Sequence, residues 1–104
     1  MSDFVGRAEP EVREILKRIL RPEEVWEQVP FKKLIAESDF DRFDSETRKH
    51  KFDFAFVREN DILVVEVNYQ HGPKSYKKWN NVFVPYLEAS KVFQPKKIKC
   101  AARS

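Results

Sequence analysis

The run Ile62-Leu63-Val64-Val65-Glu66-Val67 is apolar at every position but one. Side chains alternate between the two faces of a strand, so a run of this kind has both faces to bury. The chain must place this strand inside a sheet with a layer on each side. The single acid in the run, Glu66, is then no ordinary solvent-facing carboxylate. Upstream, Lys51 to Val57 reads as the partner strand of a hairpin, joined through a short polar connection in which Asn60 and Asp61 are the turn formers. Period-two alternation predicts Phe52, Phe54 and Phe56 on one face, with Asp53, Ala55 and Val57 on the other. In the second strand, Ile62, Val64, Glu66 and Asn68 share a face.

The flanking segments supply the covering layers. Val12, Ile15, Leu16, Ile19 and Leu20 recur at the spacing of one helical face, with Pro10 suited to the first turn and Pro22 beyond the end. Val25, Glu27 and Val29 alternate against Trp26 and Gln28, which predicts a strand stopped at Pro30. Residues 32–49 read as one helical turn followed by a polar loop. From Lys74 a helical stripe resumes through Tyr76, Trp79, Val82, Phe83, Tyr86, Ser90 and Phe93, with Pro85 as a kink or restart point. Lys96 to Ala102 supplies a last strand. The expectation is a single α/β domain over residues 1–104, with a mixed β-sheet in the order α-β-β-β-α-β flanked by helices.

Composition excludes some functions and favours others. With only Gly6 and Gly72 available, neither glycine-rich phosphate-binding loop can be assembled. Residues 1–47 carry 8 Lys/Arg against 12 Asp/Glu, whereas residues 48–104 carry 12 against 5, a net +7 in the second half. A basic half is the electrostatic footprint of a polyanion partner. A lone cysteine, Cys100, and the absence of a long apolar run or a signal-peptide pattern after Met1 lead to the expectation of a reducing, cytoplasmic setting and no membrane. Cys100 reads as a small packing residue of the last strand. The acids Asp39, Asp41, Asp44 and Glu46 lack the central glycine and the spacing of a calcium loop, and read as a solvated loop.

The hairpin acids carry the chemical signal. Asp53 stands on one strand, twelve residues intervene, and Glu66-Val67-Asn68 ends the next, followed by a basic helix and a final strand. This arrangement resembles the PD-(D/E)XK nuclease superfamily, which includes restriction-endonuclease-like, Holliday-junction-resolvase-like and homing-endonuclease-like branches. "KFDFAF" and "LVVEVNYQHG" are particularly similar to its compact branch, with Asn68 where the usual motif has lysine. The resemblance implies a restriction-endonuclease-like core and a Mg²⁺- or Mn²⁺-dependent endonuclease of DNA, DNA being favoured over RNA. Asp53 and Glu66 would hold the metal, since hard cations take carboxylate oxygens, and the backbone carbonyl between Glu66 and Asn68 would add a ligand.

The remaining roles follow the same pattern. Asn68 or Gln70 would place the attacking water, and the missing charge would come from Lys74 or Lys78. Among first-helix acids Glu11 is the candidate to join the site, its other role being to stabilise the helix N-terminus. His71 would act as general base or leaving-group acid. Arg48, Lys49 and Lys51, with Lys74, Lys77 and Lys78, would hold phosphates. A chain this short draws specificity from loops, a partner or a homodimer. The alternative is a catalytically silent module of the same fold that binds nucleic acid or a protein. A further possibility for the acid pair is a salt bridge to Arg48 or Lys97.

Overall fold

The computed structural model describes residues 2–67 and 77–102. Its elements are α1 (Ser2–Leu20), β1 (Glu24–Pro30), three single helical turns α2 (Phe31–Leu34), α3 (Glu37–Phe40) and α4 (Ser45–Arg48), and the strands β2 (Lys51–Val57) and β3 (Asp61–Glu66). A π-helical turn (Trp79–Phe83) then runs into α5 (Val84–Ala89), before β4 (Lys97–Ala102). The four strands form one mixed sheet in the order β1-β2-β3-β4. The first three are antiparallel to one another, and β4 runs parallel to β3. Both β2 and β3 are therefore interior strands, as the two-sided apolar pattern requires.

One core lies on the α5 side of the sheet and the other on the α1 side. On the α5 side, Phe31, Leu34, Phe52, Val64, Leu87 and Ile98 are buried together with the rings of Trp79 and Phe83. On the α1 side, Phe54, Phe56, Val65 and Val67 pack under Val12, Leu16 and Leu20. Helix α1 begins well before Pro10, which lies inside it rather than at its first turn. Its predicted stripe is only partly used. Ile15 and Ile19 are 52% and 69% exposed, because a helix lying flat on a sheet buries a narrower arc than the full set of apolar positions.

Segment 31–48 is more ordered than its polarity suggests. Phe31 is fully buried and meets Phe43 edge-on at 4.9 Å and Phe83 at 5.4 Å. Asp44 caps α4 by accepting the Thr47 N–H at 2.7 Å. In the second helical region the stripe shifts after the π turn. Leu87 is buried whereas Tyr86 is 38% exposed, although 3.6-residue periodicity favours Tyr86. The reason is Pro85, whose ring clashes with the carbonyl four residues back; the wide turn ahead of it, closed by Val84 N–H to the Trp79 carbonyl, relieves that clash and advances the phase.

The hairpin turn is held by charge. Arg58 grips Asp61 with Nε–Oδ1 at 2.5 Å and Nη2–Oδ2 at 2.7 Å, and Lys99 Nζ lies 3.4 Å from Oδ2. The Arg58 hydrogen bonds, with smaller help from Lys99, hold the Asp61 carboxyl below the usual range against the opposing effect of burial. A depressed carboxyl stabilises the fold above its unfolded pKa of about 4 and ceases to do so as pH falls through the lower folded value. Asp61→Asn is accordingly expected to cost about 2 kcal/mol at pH 7, the typical worth of hydrogen bonds to a charged group. In urea titrations that difference should shrink progressively below pH 4.

Candidate active site

The site forms where the β2–β3 ladder ends. Its last paired residues are Phe54 and Val65, so the next backbone N–H groups need other partners. The two acids provide them reciprocally. Asp53 N–H donates to Glu66 Oε1 at 3.1 Å, and Val67 N–H donates to Asp53 Oδ2 at 2.7 Å. Glu66 is buried, at 8% exposure, and Asp53 is half-buried. Glu66 also shares the α5 side with Ile62 and Val64, whose burial there follows the predicted alternation.

The third member of the group is His50, which the sequence reading passed over in favour of His71. His50 Nε2 lies 2.8 Å from Glu66 Oε2. Its ring rests against Phe52 at 4.6 Å and Phe83 at 4.7 Å, and its carbonyl accepts the Phe31 N–H at 3.0 Å. Backbone and ring are thus both fixed, and the imidazole presents a nitrogen to the acid. The available signal was its place in Arg48-Lys49-His50-Lys51, directly ahead of the strand bearing Asp53. Neither salt bridge considered for the acid pair is among the ion pairs of the described residues, where the partner of Glu66 is His50. Lys97 sits across from Asp61, at the opposite end of β3.

The other predicted residues divide into three groups. Asn68, Gln70, His71 and Lys74 lie outside the described residues. Glu11 is exposed on α1, which covers the sheet face opposite His50. Arg48 and Lys78 are half-buried, and Lys49, Lys51 and Lys77 are exposed. Lys78 and Arg48 are brought near the Asp44 cap of α4. There the Thr47 backbone and side-chain hydrogen bonds, then the charges of Lys78 and Arg48, hold the Asp44 carboxyl below its usual range. Cys100 packs against the α5-side core, and burial pushes its thiol up to about 12, so it is a protonated packing residue.

Two carboxylates on interior strands are a hard-oxygen donor set suited to Mg²⁺ or Mn²⁺. Asp53 Oδ1 accepts none of the hydrogen bonds found among the described residues, and each Glu66 oxygen accepts one, leaving lone pairs on both acids. No group of three or more His, Cys, Asp and Glu side chains placed to hold a metal occurs among the described residues. No described helix is long and apolar enough to cross a membrane. The chain matches no protein-family model, no curated protein and no solved structure.

Proposed function

We propose that the chain is a metal-dependent endonuclease of DNA in which Asp53 and Glu66 hold Mg²⁺ or Mn²⁺. The observation that carries this reading is the placement of both carboxylates at the end of neighbouring interior strands, Glu66 accepting the Asp53 N–H and Asp53 the Val67 N–H. Carboxylates held by the sheet keep their separation, which a mobile loop would not ensure. Two supporting facts are the element order, with three antiparallel strands and a parallel β4, and the approach of Lys78 and Arg48, from two separate segments, to Asp44. Bound there, the cation would polarise the phosphoryl group and acidify the attacking water.

The chain's own groups then have distinct tasks. His50 orients the Glu66 carboxylate, as partners of ligating carboxylates do. Arg48, Lys49, Lys51, Lys77 and Lys78 hold phosphates, with Lys74 as a further contact, and Asn68 or Gln70 positions water. Sequence preference would arise from loops, a partner or a homodimer. The second reading is a silent binding module, favoured by one observation: both Glu66 oxygens already accept hydrogen bonds from the chain.

Calorimetric titration with Mn²⁺ tests the metal pair. Wild type is expected to bind, and Asp53→Asn or Glu66→Gln to weaken binding at least about tenfold, since each removes an anionic ligand. Equal affinity in all three proteins would remove the assignment.

A further inference from the structure

The one non-glycine residue with left-handed backbone inside a described strand is Gln28, with φ of 49°. That region is unfavourable for a residue with a Cβ and persists where the surroundings require it. The β1–β2 ladder pairs Glu27 with Phe54 and Val29 with Phe52, and passes over Gln28 and Asp53. The register is the same on both sides of the gap, so no residue is inserted. It runs on past Pro30 and Lys51 to the next pair, where the Phe31 N–H donates to the His50 carbonyl at 3.0 Å.

What changes at the gap is the facing of the side chains. Val25, Phe54 and Phe56 belong to the α1-side core, whereas Val29, Phe31 and Phe52 belong to the α5-side core. Uninterrupted alternation would keep Phe52 and His50 on the side of Phe54 and Phe56. Asp53 needs no such break, because alternation from Val57 and Ala55 already places it on the α5 side. The break therefore acts on Phe52 and the residues before it. Of these, His50 is the one that reaches the acids. Its ring lies 4.6 Å from Phe52 and 4.7 Å from Phe83, and its Nε2 is 2.8 Å from Glu66 Oε2.

We infer that Gln28 is a positioning residue for His50: its left-handed backbone breaks the alternation of β1, the paired β2 follows, and the imidazole is delivered to the α5 side, where Glu66 stands. The Gln28 side chain is exposed, so the backbone conformation carries the role. An extended residue at 28 would leave both strands in phase and send the imidazole toward α1. Glycine adopts the left-handed conformation without penalty, whereas a β-branched residue resists it and favours a regular strand. The placement of His50 stands on the ladder and the two cores; its consequence for metal rests on the function proposed above, in which His50 steadies a ligating carboxylate.

The test compares Gln28→Gly and Gln28→Ile by NMR and thermal melting. Gln28→Gly should keep the NOEs between the His50 and Phe83 rings and melt at or above the wild-type temperature. Gln28→Ile should lose those NOEs while the Asp53 and Val67 amides keep their exchange protection, because the facing of Asp53 does not depend on the break. A folded Gln28→Ile protein that retains the NOEs, or that loses the amide protection with them, would overturn the inference. If Gln28→Ile fails to fold, the glycine variant decides: lost NOEs or a lower melting temperature overturn the inference, and retained NOEs without a lower melting temperature support it. In Mn²⁺ calorimetry, Gln28→Ile and His50→Ala should each bind at least about tenfold more weakly than wild type. The double variant should bind no more weakly than His50→Ala alone, and a further loss would overturn the route through His50. Wild type without Mn²⁺ affinity would remove the metal reading, while the NOE comparison would still decide the role of Gln28.

Discussion

Phe31→Ala is expected to destabilise the protein by about 4 kcal/mol, within the range for truncating a buried phenylalanine. Phe31 is fully buried, and its ring lies 4.9 to 6.3 Å from those of Phe40, Phe43, Phe52 and Phe83. Five rings interlocked from five segments leave little that can collapse into the space, so lost transfer energy and a residual cavity add together. For a domain of this size the melting temperature should fall by roughly 15–25 °C. The effect should also reach the site, because Phe52 and Phe83 flank the His50 ring. A loss below about 1.5 kcal/mol in urea denaturation would mean that the aromatic cluster is not the centre of the α5-side core.

Glu66→Gln should have the largest functional effect. The substitution preserves shape and can still accept the Asp53 N–H, so the fold should survive. It removes the negative charge that would hold a cation at the ladder's end, and cleavage should drop by at least about a hundredfold, comparable to removal of a key transition-state contact. DNA binding should persist, because the proposed phosphate contacts are made by basic residues rather than by the acids. The two readouts separate loss of chemistry from loss of affinity.

The sheet was legible in the sequence because its signals are local. Two-sided burial of Ile62–Val67 placed β3 in the interior, polar Asn60 and Asp61 marked the hairpin, and Pro30 ended β1. The acids stood out as polar breaks in apolar strands. Less legible features depend on departures from regular periods. Opposite the left-handed Gln28 the alternation of β2 breaks, so that Phe52 faces away from Phe54 rather than beside it, and the π turn ahead of Pro85 exchanges Tyr86 for Leu87. Period counting assumes that the period is constant, so it fails one residue past each irregularity. Segment 31–48 is less legible for another reason: Phe31 and Leu34 are buried from one short turn and Thr47 from another, neither long enough to show a pattern of its own. His50 was hidden among basic neighbours, and only the fold brings it to Glu66.

Whether the acid pair makes this fold a nuclease is decided by cleavage by wild type against Glu66→Gln. Labelled duplex, branched and single-stranded DNA would be incubated with Mg²⁺, Mn²⁺ or EDTA. Wild type is expected to cleave at least one substrate with Mn²⁺ or Mg²⁺, with cleavage abolished by EDTA and reduced at least about a hundredfold in Glu66→Gln. Identical background cleavage by the two proteins on every substrate and with every metal would contradict it, and would leave the fold as a binding module.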